Sequence, residues 1–369
     1  MKVAIVCFND TFFDRVRLLK KYYSSKGYEV TVISSDFSHR RKQRISSLED
    51  ADVLIETPPY YKNLSFRRLY SHLRFSGKAE KLMEELQPDI IHSMVPANSL
   101  CKTMSHYKKN HPDIRLYFDI NDLWPEALPI QRFEWLPVFT EWKKLRDKNL
   151  PNADRVFVEC ELFLEGLNAN DDYTVLHFAR SQEPMPLHPH LDADTLDLVY
   201  LGSINNIIDI CLIRKITEAT TKIKPTRFHI IGEGETKDRL ISEVQSTGAQ
   251  VVDHGILFDP QAKQEIFDHC HFGLNIVKPN VMVGLTMKSL DYMIGGLPML
   301  NSIGGDTEKL VEKYDLGFNV DRDHLDELAQ RICHEPTDQA LIRRRNMQEV
   351  YERFFSEETF FRTLDEVDA

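Results

Sequence analysis

Short runs of β-branched and other apolar residues alternate with segments of helical periodicity along most of this chain. In the first half such runs lie at 3–6, 30–34, 53–55, 89–92, 115–120, 155–159 and 174–177, with helical patterns between them. Consecutive parallel strands need long crossover connections, and helices usually supply them. The alternation therefore predicts an α/β fold built on a parallel sheet.

A second series of strands and helices follows a break in this pattern. Residues 181–195 are rich in proline and polar side chains and show neither period, whereas LDLVYLG at 196–202 resumes the alternation. A chain of 369 residues is also longer than one usual core. We therefore expect two Rossmann-like doubly wound domains, 1–180 and 196–340, with a linker at 181–195 and C-terminal helices at 341–369 that pack back toward the first domain.

The charge of the chain is divided unevenly. Residues 1–110 contain 19 lysines and arginines against 12 aspartates and glutamates, although the whole chain has a formal net charge of −11. The basic residues are scattered and form no recognisable nucleic-acid-binding module, so an anionic lipid surface or a phosphorylated acceptor fits better than nucleic acid. No apolar run is long enough for a membrane span or a signal peptide, which predicts a cytoplasmic protein, peripheral at the inner face of the membrane.

The six cysteines are widely scattered, with no CxxC pair and no histidine at zinc-like spacing. We interpret them as buried thiols, and we expect no bound metal.

The segment NLSFRRLYSHLRFSGK at 63–78 interleaves basic and aromatic side chains. Its basic residues are Arg67, Arg68, Arg74 and Lys78. A helix of this kind suits binding to an anionic membrane surface. An ordinary amphipathic crossover helix with a solvated basic face is the alternative, and the sequence leaves both open.

Glycines follow several strands of the second half, in YLGSINN, IIGEGE and DHGILF. Glycine allows backbone N–H groups to approach a ligand closely, and phosphate is the commonest reason. The alternative is a set of strand-to-helix turns that need positive φ. Their number within one domain favours a phosphate-bearing ligand.

The segment LTMKSLDYMIGGLPML at 285–300 predicts a short helix that ends at two glycines and a proline. Leu290, Met293 and Ile294 fall on one face, and Lys288 lies in the first turn, where the helix dipole already favours anions. Lys288 is therefore a candidate for binding an anionic group. A surface ion pair with Asp291, three residues later, is the alternative.

The order of several segments resembles bacterial GT-B glycosyltransferases of family 4, especially those that build capsular or exopolysaccharide repeat units. The segments are PDIIH, DINDLWPE, ADRVFVE, VYLGSI, HIIGEGE and MKSLDYMIGGLPMLNS followed by GDTEKLV. The resemblance covers nearly the whole chain. It implies two Rossmann-like domains facing across a cleft, and sugar transfer from a nucleotide-sugar with retention at the anomeric carbon and without a metal or other cofactor.

The same resemblance implies that the second domain binds the donor, which family habit makes a UDP-sugar. Asp291 matches a glutamate that accepts hydrogen bonds from the ribose, whereas Val283 replaces the glutamate that meets the donor sugar. The loop GSINNIID also lacks the usual arginine and lysine, so Lys288 becomes the main candidate for the diphosphate. The implied nucleotide-sugar-binding residues are Gly202, Ser203, Gly232, Glu233, Gly234, Gly255, Ile256, Leu257, Gly284, Leu285, Thr286, Lys288 and Asp291.

In the first domain the resemblance implies catalytic roles for Asp122, Glu126 and His92. Asp122 or Glu126 would orient the acceptor hydroxyl or the donor sugar, and His92 matches a family position near the cleft. A turn-capping Asp122 and a structural His92 are the alternatives. The residues expected to line the cleft on the acceptor side are Asn9, Asp10, Thr11 and Asn121.

Together these features imply a hexosyltransferase that adds a sugar to a hydroxyl of a polyprenyl-diphosphate-linked saccharide in capsular or exopolysaccharide biosynthesis. One alternative is a nucleotide-sugar 2-epimerase of the same architecture, which depends on acidic and histidine clusters that are not found here. The other alternative is a two-lobed, non-catalytic sugar-binding module. The lack of a signal-peptide pattern and the acidic character expected of the pocket argue against it.

Overall fold

A computed structural model of the chain describes residues 1–127, 135–167, 173–279, 281 and 283–368. The chain forms two compact units. Unit 1 comprises residues 1–181 and 360–369, and unit 2 comprises residues 182–359. Each unit contains its own parallel sheet with helices, so the expected α/β fold with two Rossmann-like domains is confirmed.

The strands of unit 1 are β1 Lys2–Cys7, β2 Glu29–Ser35, β3 Phe37–Ser38, β4 Gln43–Arg44, β5 Val53–Ile55, β6 Ile90–Val95, β7 Arg115–Ile120, β8 Arg155–Val158 and β9 Tyr173–Val175. Seven of them form a parallel sheet in the order β5-β2-β1-β6-β7-β8-β9, while β3 and β4 form a short antiparallel hairpin. The strand order reverses between β1 and β6. In open α/β sheets, ligands bind at such a reversal, beyond the carboxyl ends of the strands.

The helices of unit 1 are α1 Phe13–Ser25, α2 Phe66–Leu86, α3 Asn98–Asn110, α4 Pro137–Asp147 and α5 Glu161–Leu167, and most of α13 Glu357–Asp368 also belongs to it. Its core buries the central strands against α1, and Phe360 and Leu364 of α13 join the same cluster. A hydrogen bond of 2.9 Å from Tyr22 to Asp365 adds a polar contact between α1 and α13. The C-terminal helix is therefore an integral part of unit 1.

The strands of unit 2 are β10 Leu196–Leu201, β11 Thr226–Ile231, β12 Gln250–Asp253, β13 Phe272–Asn275, β14 Met299–Asn301 and β15 Gly317–Asn319. They form a parallel sheet in the order β12-β11-β10-β13-β14-β15. Counted within the unit this order is 3-2-1-4-5-6, which is the dinucleotide-binding arrangement of Rossmann folds. The reversal lies between β10 and β13.

The helices of unit 2 are α6 Ile210–Thr221, α7 Lys237–Gln245, α8 Pro260–His269, α9 Met287–Ile294, α10 Asp306–Tyr314, α11 Leu325–Cys333 and α12 Thr337–Phe355. Helix α12 packs on α9, where Gln348 donates to the carbonyl of Ile294 at 3.0 Å. Residues 182–195, expected as a linker, lie within unit 2. There the carbonyls of Gln182 and Met185 accept hydrogen bonds from Tyr351 and Gln348 of α12.

Two local predictions from the sequence are wrong. Cys211 is exposed, unlike the other five cysteines, because it lies on the outer face of α6. His92 was expected at a strand end, yet β6 continues to Val95 and places it in the middle of the strand. Ser93 and Met94, which follow it, are both buried, and the polar side chain of Ser93 interrupts the apolar run by which the sequence would have shown that the strand continues.

Candidate functional site

Three glycine turns meet at the carboxyl edge of the unit 2 sheet. The N–H of Gly202 donates to the carbonyl of Ile231 at 2.8 Å, and the N–H of Gly232 donates to the carbonyl of Gly255 at 2.7 Å. A Cβ atom on Gly232, where φ is +146°, would lie 2.0 Å from the carbonyl oxygen of Gly202. Glycine is required there by the close approach of the turns, so the steric alternative explains part of the glycine pattern.

Helix α9 begins at the same edge of the sheet. Thr286 caps it by accepting the N–H of Ser289 at 3.2 Å, and its hydroxyl also contacts Asn275 at the end of β13. The N–H groups of Met287 and Lys288 have no hydrogen-bond partner among the described residues. The start of α9 therefore presents two free donors at the positive end of the helix dipole.

Lys288 reaches from the first turn of α9 to the end of β10. Its Nζ donates to Tyr200 Oη at 3.0 Å and lies 4.2 Å from the centre of the Tyr200 ring. The Tyr200 hydroxyl in turn donates to the carbonyl of Ser203 at 3.0 Å. The surface ion pair between Lys288 and Asp291, left open by the sequence, does not form, because Asp291 contacts Lys263 Nζ at 3.3 Å instead.

Lys288 is a cation without a carboxylate partner. No ion pair among the described residues includes it, and burial lowers the pKa of its ammonium group to about 7. A partly desolvated cation of this kind gains most from an anionic ligand, which would replace the lost hydration. The arrangement is typical of an anion-binding site.

The remaining predicted donor residues lie in the turns after β11 and β12 and in the segment before α9. The carbonyl of Gly284 accepts from the N–H of Thr307 at 3.0 Å, which fixes the segment before α9 to the start of α10. Glu233 is exposed and forms an ion pair of 2.6 Å with Lys237. In the turn after β12, Ile256 is 55% exposed, Leu257 is half-buried, and the next residue, Phe258, is 86% exposed. Gly234 lies in the β11 turn, and Leu285 is buried.

In unit 1, Asp122 lies just beyond the end of β7 and is half-buried. Burial raises the pKa of its carboxyl group to about 6, while hydrogen bonding to Trp124 and the charge of Arg68 act in the opposite direction. A carboxyl group whose pKa lies this close to neutrality can accept or orient a proton. Asp122 therefore has the properties expected of a catalytic or positioning residue.

Glu126 is held in a network of ion pairs. Its carboxylate accepts from Arg146 at 2.8 and 3.1 Å and contacts Lys143 at 2.8 Å. Burial alone would raise the pKa of Glu126, but the hydrogen bonds and charge of Arg146 dominate and lower it. A carboxylate fixed by two cations is suited to holding the loop after β7 in place, and its predicted catalytic role stays a prediction.

His92 is completely buried in a polar network that joins β6 to β7 and α1. Its Nδ1 lies 3.0 Å from Tyr23 Oη, and its Nε2 lies 3.2 Å from Asp119, which also pairs with Arg15 at 2.7 Å. The imidazole stacks on Phe157. The structural alternative accounts for all of these contacts, while the catalytic role predicted for His92 stays a prediction.

The residues expected on the acceptor side lie at the carboxyl edge of unit 1. Asn9 and Asn121 are 3% and 4% exposed, and Asn121 donates to the carbonyl of Asp119 at 2.8 Å. Asp10 accepts from Ser38 Oγ at 2.5 Å and from the N–H of His39 at 2.8 Å. Thr11, which is half-buried, is capped by the Asn9 side chain at 3.1 Å. Asp10 therefore anchors the loop that carries the β3–β4 hairpin.

Two site residues were not predicted from the sequence: Tyr200, which contacts Lys288, and Lys263, which contacts Asp291. An aromatic residue in a strand and a basic residue in a helix are both ordinary, so neither gave a signal. The burial of Arg68 was not predicted either.

Among the described residues no group of histidine, cysteine and acidic side chains could hold a metal ion. No helix in the described ranges has the combined length and hydropathy of a membrane span.

Comparison with known proteins extends these observations. Residues 15–170 match the model of Glycosyltransferase Family 4. The chain is similar to the apo form of the lipopolysaccharide outer core galactosyltransferase WaaB, with 15% identity, a TM-score of 0.68 and coverage of 100% of this chain and 99% of that chain. No curated protein sequence matches the chain.

Two further solved structures are similar over nearly their whole length. Sucrose-phosphate synthase from Thermosynechococcus elongatus has 14% identity and a TM-score of 0.72, with coverage of 100% and 98%. HepE from Anabaena in complex with UDP-glucose has 14% identity and a TM-score of 0.66, with coverage of 99% and 98%. The structural likeness shows the GT-B fold, and the match over most of unit 1 confirms the resemblance to family 4. The chain is therefore a glycosyltransferase of the GT-B fold that resembles family 4.

Proposed function

We propose that this glycosyltransferase moves a hexose from a UDP-sugar to a hydroxyl of a lipid-linked oligosaccharide in capsular or exopolysaccharide biosynthesis, with retention at the anomeric carbon. The observation that carries the proposal is the ammonium group of Lys288 at the start of α9, which donates to Tyr200 Oη at 3.0 Å and has no carboxylate partner among the described residues. A nucleoside diphosphate supplies the negative charge that this position lacks. The titles of similar structures, including HepE with UDP-glucose, support a uridine nucleotide as the donor.

Charge develops on the diphosphate when the bond between the anomeric carbon and the phosphate oxygen breaks. Lys288 and the free N–H groups at the start of α9 would bind this charge, and the interaction strengthens as the leaving group forms. The positive charge at this position supports a reaction that does not require a metal. Asp291 would accept from the ribose, and the exposed apolar turn at Ile256 and Phe258 offers a surface for the base.

Unit 1 would bind the acceptor, and Asp122 would orient the attacking hydroxyl by accepting its hydrogen bond. With a pKa of about 6, Asp122 is largely ionised at neutral pH and is able to accept. The new bond joins the acceptor oxygen to the anomeric carbon, UDP leaves with the former bonding electrons, and the hydroxyl proton is released. Polar residues at the carboxyl edge, including Asn9 and Asn121, would complete the pocket.

The outer face of α2 supports a lipid-bearing acceptor and an anionic membrane surface. Phe66, Tyr70 and Leu73 are 79%, 54% and 53% exposed, and Arg67 and Arg74 are exposed on the same helix. Beside them, an apolar cavity of about 400 Å³ lies between α2 and α4 and is lined by Leu69, Trp142 and others. Exposed aromatic side chains among basic ones suit the headgroup region of a bilayer.

Two of the four basic residues first expected on this surface do not belong to it. Arg68 is only 2% exposed, because it occupies the inner side of the first helical turn. Lys78 donates to the carbonyl of Glu56 at 2.7 Å. The membrane-facing charge of α2 therefore reduces to Arg67 and Arg74.

The test is a thermal-shift and turnover panel with UDP-, GDP- and dTDP-sugars, followed by transfer to a polyprenyl-diphosphate-linked acceptor. We expect UDP and one or more UDP-sugars to raise the melting temperature, and UDP release to depend on the acceptor. Binding that is confined to GDP or dTDP compounds would contradict the donor assignment. Epimerised UDP-sugar without acceptor would establish the 2-epimerase alternative, and sugar binding without turnover would establish a binding module.

A further inference from the structure

Arg68 is a buried arginine that no carboxylate contacts among the described residues. Its side chain is 2% exposed, and no ion pair among the described residues includes it. It donates one hydrogen bond, from Nη1 to the carbonyl of Asn63 at 3.1 Å, and its Cζ lies over the Trp124 ring, 3.9 Å from the ring centre. Both Nε and Nη2 are buried without a partner. Leaving charged donors unsatisfied in this way is costly.

The unused nitrogens form the edge of the guanidinium that pairs with planar anions. Two other arginines of the chain have this edge occupied. Arg15 donates from Nε and Nη2 to Asp119 at 2.7 and 2.9 Å, and Arg227 donates from the same atoms to Asp197 at 2.7 and 2.9 Å. Arg68 has this edge free, while its Cζ already lies over the Trp124 ring. It therefore has the geometry of an arginine that awaits a carboxylate or a phosphate.

A second cation lies in the same cluster. Lys42 donates to the side chain of Asn63 at 2.6 Å, so Asn63 is contacted by both cations. Tyr60 also contacts both, because Lys42 Nζ and Arg68 Cζ lie 5.2 and 5.4 Å from its ring centre. Two like charges held against one ring repel each other unless an anion compensates them.

The groups around the two cations compensate their charge only in part, because the charge of Asp122 acts on Arg68 and that of Asp10 acts on Lys42, but neither carboxylate forms an ion pair with its cation. His39, hydrogen-bonded to Tyr60 at 2.8 Å, stays neutral because burial and both cations lower its pKa to about 3. His72, stacked on Trp124 with both ring nitrogens unpartnered, stays neutral through burial. Asp122, whose pKa burial raises to about 6, is largely ionised at neutral pH, but it forms no ion pair with Arg68. Asp10 is already engaged by Ser38 and the N–H of His39.

We propose that Arg68 and Lys42 form a binding site in unit 1 for an anionic group of the acceptor, either a phosphate or a sugar carboxylate. Lys42 and His39 are half-buried, so the cluster reaches the surface of the unit. Arg68 would bind the anion in a bidentate manner on the free edge, and Lys42 would add a point charge. Trp124, two residues after Asp122, would place the bound group near the residue proposed to orient the acceptor hydroxyl. The inference rests on the proposed function for its acceptor, but the anion site itself is testable alone.

The test measures anion binding directly, by isothermal titration of the full chain with inorganic pyrophosphate and separately with glucuronate. The chain carries Lys288→Ala throughout, so that the proposed diphosphate site of unit 2 does not contribute. We expect at least one of the two anions to bind. Tighter pyrophosphate binding identifies a phosphate-bearing acceptor, and tighter glucuronate binding identifies an acidic sugar. Absence of binding by both would overturn the proposal.

The variants assign this binding to residues. Arg68→Gln should weaken it by about 10- to 100-fold, the loss expected for charge-assisted hydrogen bonds. Arg68→Lys should restore part of it, because it keeps the charge but not the planar edge. Lys81→Gln, which changes an exposed basic residue of the same helix, is the control and should bind as the parent does. Equal binding by Arg68→Gln and its parent would overturn the proposal.

The melting temperature without anion separates a ligand-binding arginine from a structural one. Because Arg68→Gln removes a buried charge that forms no ion pair, it should leave the melting temperature unchanged or raise it. A fall in melting temperature with unchanged anion affinity would assign Arg68 a structural role. If Arg68→Gln does not fold, the Lys42→Gln variant tests the site instead, because Lys42 is half-buried. This variant should bind the anion about tenfold more weakly, and unchanged affinity would overturn the proposal.

Turnover of UDP-sugars separates this inference from the proposed function. Anion binding that depends on Arg68, in a protein that turns over no UDP-sugar, would leave the site established and the proposed transfer refuted. Transfer to an anionic acceptor with a KM that Arg68→Gln does not change would confirm the transferase and refute the anion site.

Discussion

Lys288 Nζ and Tyr200 Oη lie 3.0 Å apart and join the first turn of α9 to the end of β10. No carboxylate among the described residues contacts Lys288, and the Tyr200 hydroxyl donates a hydrogen bond to the carbonyl of Ser203. A protonated lysine held by a hydroxyl is not neutralised by its partner and stays available to an anionic ligand, whereas one held by a carboxylate does not.

Lys288→Ala should leave the fold intact and weaken UDP binding and transfer by about 10- to 1,000-fold, the range for a charge-assisted phosphate contact or an oxyanion donor. Isothermal titration and turnover measure both. Lys215→Ala, an exposed lysine on α6, is the matched control and should behave as the wild type. Unchanged UDP affinity in folded Lys288→Ala would remove Lys288 from the donor site.

UDP-sugar affinity should fall as pH rises above about 7. Burial lowers the pKa of Lys288 to about 7, so the free protein loses the ammonium charge above this pH, while the diphosphate stays ionised. The loss should approach about tenfold per pH unit, because binding then requires uptake of one proton. Lys288→Arg keeps its charge and should bind with little dependence on pH between 6 and 9. A flat profile for the wild type would contradict this assignment.

Asp122→Asn should lower kcat by about 100-fold or more with a smaller effect on the KM of the donor. In the wild type, kcat should decline as pH falls through about 6, because protonation removes the acceptor of the hydrogen bond. Arg68→Gln should move this decline to higher pH, since the charge of Arg68 lowers the pKa of Asp122. A comparable kcat loss in folded Glu126→Gln, with Asp122→Asn active, would transfer the role to Glu126.

Asp291→Asn should raise the KM of the donor more than it lowers kcat, because a ribose contact is nearly the same in the ground and transition states. The ion pair with Lys263 complicates the result, so Lys263→Gln serves as the control that removes the pair but keeps the carboxylate. We expect the larger KM increase in Asp291→Asn. Equal increases in both variants would show that the ion pair, and not the ribose contact, matters.

Vesicle flotation tests the membrane surface of α2. The double variant Arg67→Gln with Arg74→Gln should lose binding to anionic vesicles by about 30-fold, since each basic residue near such a surface contributes about 1 kcal/mol. Binding by the wild type should also weaken as salt rises. The control changes Lys102 and Lys109, two exposed lysines of α3, to Gln. Flotation that is equal in both double variants would assign α2 to an ordinary crossover helix.

Much of the fold follows from sequence periodicity. Strands such as β1 and β10 and helices such as α2 and α9 lie where the alternation of apolar residues predicts them. In α9, Leu290, Met293 and Ile294 are buried as their spacing requires. The short β3–β4 hairpin was not predicted, because each strand has only two residues and no periodicity can develop over that length.

The candidate site was only partly predictable. The glycine turns and Thr286 were expected near the donor, and the structure brings them to one edge of the unit 2 sheet. The sequence could not distinguish Arg68 from Arg67, because adjacent basic residues look alike until the helix is oriented against its core. Only the orientation of α2 against its core shows that Arg67 is exposed and that Arg68 is buried, with 2% of its surface exposed.

The sequence by itself determined the order of strands and helices, the division into two α/β series and the candidate residues near strand ends, because these depend on local periodicity and turn chemistry. Tertiary structure decided which charges are compensated. Asp119 pairs with Arg15, which lies 104 residues earlier, and Glu126 pairs with Arg146, whereas neither Lys288 nor Arg68 forms an ion pair among the described residues. Pairing between distant residues depends on how the elements pack, and it is this packing that leaves two buried cations available to anionic ligands.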